Sequence, residues 1–584
     1  MVRAGGAAPA RAGARFPRDI WTRMKGNRQM TAQLIVTNAR VLTMDAAAPL
    51  AEAVAVAGGR IVAVGARAGV DAWAGPDCVV IDAGGRSLLP GFVESHLHLV
   101  LGGAELSQLQ IGGMQGAAAL KKAFADYGAR NADLALLIAQ GASYQILDHP
   151  VTRHDLDLVI ADRPIALMSP DHHTVWANTA ALQAAGLLFG APMPHGHEVV
   201  MGADGTATGE LREFEAFGPV LALGGEAHLQ LGIATGGEPD PAPHASQRAR
   251  DMDKIAAGLA HCAAHGITSM VNMDGNRYTL DLLAEMAATG RLTARVKVPF
   301  HFKPHMGLAD LDRASDMTAE FADDWLSCGF VKMFMDGVVD SRTAYMLRDY
   351  PGVPGHRAEP LFDQATFNAI CTEIDRRGLQ IAVHAIGDGA VRQTIDGYAA
   401  AGAANGQRDA RHRIEHIELI DPADVPRLGA LGITASLQPP HAPGAMDFAL
   451  EPTMTDIIGQ ARWGDAYLCR SLMDQGAAVA FASDWPVTDV SVMRGLQAAL
   501  TRAPYAGARD ERLTRAQALH AYTAGGAWAA HMDQLTGMLR VGLAADMVLI
   551  DGDIEAVADN QIGNLGIALT IAGGRITYRG PGFG

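Results

Sequence analysis

The chain has 584 residues, 49% hydrophobic and 19% charged, with 47 basic against 63 acidic side chains and a formal charge of −16. Such a composition excludes a disordered chain and allows a large core and more than one domain, and the acidic balance argues against nucleic-acid or anionic-membrane partners. No apolar run reaches the roughly 18 residues that a membrane helix needs, and five scattered cysteines with no CxxC pair predict a cytoplasmic, disulfide-free protein.

Residues 1–29 set seven Arg and Lys against the single acid Asp19 and are expected to be a disordered basic tail. Residues 32–43 and 51–65 are β-rich, and Gly58-Gly59 supplies a hairpin turn between the two halves of the second run. A further strand is predicted over 78–81. The far end has the same character, in 546–550 and in 568–579 with a second Gly-Gly turn. Neither end can build a β core alone, so residues 30–88 and 535–584 are predicted to form one small composite β-sandwich.

From Pro90 the pattern changes to short apolar strands separated by longer helical stretches, the signature of a parallel sheet. The first strand lies in LLPGFVESHLHLV, where His96 and His98 fall at i and i+2 and so share one face. Two neutral imidazoles side by side suit zinc or a related divalent ion. Seven more strands are read at 267–273, 295–302, 330–335, 381–386, 413–417, 433–438 and 479–483. Eight strands predict an α/β fold, a (β/α)₈ TIM-like barrel over 89–534, with catalytic groups at the C-terminal strand ends. Residues 105–255 exceed one βα spacing and are expected to be an insertion that caps the barrel, with a strand of its own over 164–169.

The later strand ends supply chemistry that matches the histidine pair: Lys332 in VKMFMDG, His384 in VHAIGD, His416 in RIEHIEL and Asp484 in ASDWPV. Each alone has a plain structural explanation, such as a snorkelling lysine, a core histidine or a helix-capping aspartate. Together they point to a metal centre. One decoy is set aside: His412–His416 spells HRIEH, a zinc-peptidase pattern that requires a helix. Here the segment reads as a strand, which would put His412 about 13 Å from His416.

With PGFVESHLH, DHHTVWANTAAL, TGELRE, VKMFMDGVVDSRTA, VHAIGDGAV, RIEHIELI, SLQPPH and ASDWPV in place, the sequence resembles the amidohydrolase superfamily, in its YtcJ-like branch (amidohydrolase family 3). Glu94, where Asp is usual, and Val541, where Pro is common, depart from the pattern. The resemblance implies hydrolysis of a non-peptide C–N bond (an amide, N-acyl or formamide-like bond) through a metal-bound hydroxide. It implies one metal held by His96, His98 and Asp484 and a second by His384 and His416. Lys332 would be a carboxylated bridge, the metals two zinc ions, with Mn, Fe or Ni as alternatives, and Asp484 the proton carrier. His173, Trp176, Asn178, Arg342 and His441 are the candidate substrate contacts, each with a packing role as its alternative. Gln438 stands with His441, and Arg342 is expected to pair with Asp336 or Asp340 or to bind an acidic substrate group. The partner expected is a small molecule, and a homo-oligomer is left open. Two rival readings are a metal-assisted isomerase or decarboxylase on the same barrel and a regulatory binding protein on an inactive scaffold.

Overall fold

The computed structural model describes residues 31–583 except 171, 195, 226 and 446–452, so the basic tail lies outside the described residues. Eight parallel strands occur in the expected order: β1 (Phe92–Leu97), β2 (Ile267–Asn272), β3 (Arg295–Lys297 with Phe300–His301), β4 (Phe330–Phe334), β5 (Gln380–Ala385), β6 (Arg413–His416), β7 (Thr434–Leu437) and β8 (Ala478–Phe481). All but one β4 residue in these segments other than β8's first are buried, as strands covered on both faces must be.

The ladders form two arcs and not one continuous ring. The first half of β3 pairs with β2, and its second half pairs with β4, where Phe300 faces Val331 and His301 faces Lys332. The predicted uninterrupted strand over 295–302 breaks at Pro299, which has no N–H to give to a ladder. Across the opposite seam, between β8 and β1, two backbone bonds connect the strand ends. The Asp484 N–H donates to the His96 carbonyl at 2.9 Å, and the His98 N–H donates to that of Trp485 at 2.8 Å. Glu94 fastens the same seam: its buried carboxyl accepts from the Ser483 N–H at 2.6 Å and from its hydroxyl at 3.2 Å. Burial pushes that carboxyl up to about 8.

The two chain ends share a sheet. Its strand order is Arg575–Arg579, Ile567–Ala572, Met547–Ile550, Ser87–Pro90, Arg40–Leu42 and Leu50–Ala51. One core of Leu34, Val54, Ile61, Leu88, Leu549 and Ile571 joins it to a four-stranded N-terminal sheet. The two Gly-Gly hairpins meet tip to tip, and both glycines of each have positive φ. A Cβ on Gly59 would lie 3.0 Å from the Gly573 carbonyl oxygen, so only glycine allows this approach.

The long segment after β1 folds around its own six-stranded sheet, running from Leu109–Gln110 to Glu198–Met201 and including Ile165–Met168 near the predicted 164–169. It is tied to helix α1 (Leu99–Glu105) by His172, whose Nε2 lies 3.0 Å from the Glu105 carboxylate. Among the described residues no helix is long and apolar enough to cross a membrane, and all five cysteines are free thiols.

Candidate functional site

His96 sits near the end of β1, and its orientation is set from below. On β6, Arg413 and Glu415 are two apart and therefore share a face. Both are fully buried, with Arg413 Nε 2.8 Å from Glu415 Oε1 and Nη2 3.0 Å from Oε2. Burial pushes Glu415 up, but Arg413 and then His96 outweigh it and hold the carboxylate well below its usual range. An ionised Glu415 can only accept, so at 2.7 Å it fixes the proton of His96 on Nδ1. The lone pair of His96 is then on Nε2.

That Nε2 lies 3.2 Å from Asp484 Oδ1, and His98 Nε2 lies 3.2 Å from the same oxygen. Despite the short contacts, Oδ1 has no aligned hydrogen bond among the described residues, and neither does the buried Nδ1 of His98. Burial alone would raise the Asp484 carboxyl; the neighbouring histidines, His96 first, hold it well below the carboxylate range. A carboxylate oxygen facing an imidazole lone pair is repulsive unless a cation lies between them. The spacing suits one, since Zn–N bonds of about 2.05 Å give tetrahedral edges of roughly 3.3 Å.

His416 closes the group. Its Nδ1 is 2.9 Å from Gln438 Oε1, and its ring is 4.9 Å from His96 and 4.5 Å from His384. Donor atoms of His96, His416 and Asp484 all lie within 4.8 Å of one another. His416, Ile417 and Asp484 have φ of 77°, 50° and 60°. Such left-handed backbone costs on the order of 1–3 kcal/mol per non-glycine residue and is tolerated where it aims functional groups. His384 Nε2 meets the Gly337 carbonyl at 3.1 Å, leaving Nδ1 for a ligand. Burial, and then Lys332, keep His384 well below the usual histidine range.

Lys332 is 1% exposed on β4. Its amine makes no hydrogen bond or ion pair among the described residues and lies 4.9 Å from the centroid of the Phe334 ring. Burial pulls it down to about 8, against the pull of Glu415 and Asp484. The ion pair with Asp336, its plain alternative, does not form, because Asp336 accepts instead from the N–H groups of Tyr345, Ile386 and Gly387. For the same reason Asp336 is not the partner of Arg342, which is exposed on the loop after β4.

The candidate substrate contacts divide. His173 reaches the site, with its ring 6.2 Å from His384 and its Nδ1 2.8 Å from Glu213. His441 stacks on His416 at 6.2 Å, with Nε2 3.3 Å from the Ser483 carbonyl. Burial opposes its protonation, but Glu418 and Asp484 outweigh burial and raise it. Trp176 does not reach the site: it lies in the insertion's own core, edge-on to Tyr144 at 5.1 Å. Asn178 is committed to the backbone, accepting from Ile165 and Ala181 and donating to Ile160 and Arg163. Arg413–His416 is strand, not helix, and His412, just before it, turns to Asp375, 3.2 Å away, so the peptidase pattern is a coincidence of spelling.

Sequence reading missed Glu415, Arg413, Glu213 and His301. His301 is buried, with neither ring nitrogen hydrogen-bonded among the described residues, beside Lys332 in register. Its signal was its place at the end of β3, in VPFHF.

YtcJ of Bacillus subtilis (strain 168) is 28% identical over 520 residues, covering 87% of this chain and 92% of YtcJ. N-substituted formamide deformylase of Arthrobacter pascens is 25% identical over 570 residues, covering 94% of this chain and 99% of the deformylase. An uncharacterized metal-dependent hydrolase from Pyrococcus horikoshii OT3 has the same fold, with a TM-score of 0.70 at 22% identity over 90% of this chain and 99% of that one. Residues 79–578 match the Amidohydro_3 family, and the chain belongs to this amidohydrolase family.

Proposed function

We propose that the protein is a metal-dependent hydrolase of a non-peptide C–N bond in a small molecule, of the amide, N-acyl or formamide-like class. The observation that carries this reading is the pair of 3.2 Å contacts that bring two imidazole nitrogens onto one oxygen of Asp484, which has no aligned hydrogen bond among the described residues. In this reading the two arcs are a (β/α)₈ barrel over 89–534, residues 30–88 with 535–584 are the composite sandwich, and 105–255 are its cap.

His96, His98 and Asp484 would hold one divalent ion and His384 and His416 a second. Lys332 would complete this set as an anionic carbamate, formed when its neutral amine adds CO₂ and releases a proton. Bound there, divalent ions polarise a carbonyl and make water acidic near neutral pH. Asp484 accepts the proton of the attacking water and later delivers it to the leaving nitrogen. Glu415 keeps the His96 lone pair aimed at the site, as outer partners of ligating histidines do. His173 and His441 line the approach and orient the carbonyl. The deformylase relative supports the choice of bond.

A panel of formamides, N-acyl amines and cyclic amides, assayed for release of both amine and acid, tests the proposal. Release of both products, abolished by chelation and restored by Zn²⁺ or Mn²⁺, is expected. An isomerised or decarboxylated product would replace the hydrolytic reading, and metal binding without turnover on any member of the panel would favour a binding protein.

A further inference from the structure

A second group of metal-ligand side chains lies outside the strand-end cluster. Helix α2 (Ala245–Ala264) carries His261 in its last turn, and His265 is its C-cap. Four residues apart, the two face the same side, with ring centroids 4.7 Å apart. Asp489, on the loop between β8 and the helix α3 (Val492–Thr501), completes the group, and the three donor atoms lie within 4.8 Å of one another.

The donor states suit a metal. His265 Nδ1 lies 2.9 Å from the His261 carbonyl, so that nitrogen carries the proton and Nε2 is the free donor. His261 makes no side-chain hydrogen bond among the described residues. Burial and then His265 hold it below the usual histidine range, which keeps it neutral. Asp489 accepts from the Ser491 N–H at 3.1 Å and lies 3.6 Å from Arg494 Nε, a distance that leaves its carboxylate able to turn. The helix C-terminus adds a partial negative charge that favours a cation. Two imidazoles and a carboxylate form the donor set of zinc and its neighbours, with the remaining positions left to water.

The surroundings give the site a consequence. Trp485 follows Asp484 directly and lies between the His261 ring, 5.2 Å away, and Gly102 of α1. A Cβ on Gly102 would come within 2.6 Å of the indole, so this fit needs glycine. The Trp485 carbonyl accepts from the His98 N–H.

We propose that His261, His265 and Asp489 bind a divalent ion of the zinc type, clamping α2 to the loop that follows Asp484. The test uses the full-length holoprotein, dialysed to remove loosely held metal and then titrated with Zn²⁺ by equilibrium dialysis. We expect an additional, weaker equivalent beyond the tightly retained metal. Its affinity should fall at least tenfold in both Asp489→Asn and His265→Gln, and the tightly held metal should be unchanged. Asp489→Asn is isosteric and exposed, so it reports on the site even where a histidine variant folds poorly. Absence of the additional equivalent in the wild type, or the same affinity in Asp489→Asn as in the wild type, overturns the proposal.

Discussion

Replacing Glu415 by Gln separates the metal-centre reading from a purely structural one. The carboxylate joins two buried groups, His96 at 2.7 Å and Arg413 at 2.8 and 3.0 Å. Gln keeps the shape but removes the charge, so each bond falls from the charge-assisted range of about 1.5–3 kcal/mol toward about 1 kcal/mol. Gln can also present its amide to His96, in which case Nδ1 must accept and the proton moves to Nε2, the nitrogen facing Asp484. Outer partners of this kind are typically worth 10–100-fold in metal affinity, or about 1.4–2.8 kcal/mol at 1.4 kcal/mol per tenfold. Glu415→Gln should therefore fold and lose metal to a chelator at 10–100-fold lower concentration than the wild type. Glu415→Ala should also lose stability, by about 3–5 kcal/mol, because Arg413 is left buried and unpaired. Metal content after dialysis against graded chelator, with denaturant melts of the same samples, measures both. A Glu415→Gln protein that retains metal like the wild type would refute the orienting role.

The remaining predictions concern other parts of the molecule. Lys332→Ala should lose metal and activity and regain some of both with short carboxylic acids, while Lys332→Glu should keep partial metal; full activity of Lys332→Ala without additive would exclude a bridge. Asp375 is held well below the usual range, since bonds from His412, Asn405 and Arg408 outweigh its burial. A carboxyl depressed on folding stabilises above its unfolded value of about 3.9 and loses that contribution as pH falls through the folded one. Acid melts of Asp375→Asn should therefore be less pH-dependent below about pH 4, and a slope equal to the wild type would contradict this. His173→Ala should change KM or substrate preference with metal content intact, whereas Trp176→Ala should destabilise by about 3–5 kcal/mol through a cavity in the insertion core; thermal melts and steady-state kinetics separate the two.

The strands and the convergence of His96, His98, His384, His416 and Asp484 could be read from the sequence because parallel strands covered on both faces are continuous apolar runs. A polar residue at the end of such a run stands out. The break in β3 was legible in principle, since Pro299 lies inside the run, but a strand can also bulge at proline, and only the neighbouring ladders decide. Arg413 and Glu415 were hidden for the opposite reason: RIEH looks like a polar stretch of strand, and nothing local reveals that both charges are buried against each other. Trp176 and Asn178 were placed at the site by their family-like surroundings, yet an indole and an amide also satisfy a small separate core. The His261, His265 and Asp489 group joins residues more than 220 positions apart, a proximity that no local pattern encodes.

Metal content of the purified chain tests the central claim most directly. Elemental analysis after exhaustive dialysis should give two divalent ions per chain in the wild type, and a loss of at least one in Asp484→Ala, with amine-releasing activity lost in parallel. A wild-type chain that hydrolyses its substrate with no bound metal, or an Asp484→Ala chain that keeps both ions and full activity, would contradict the account.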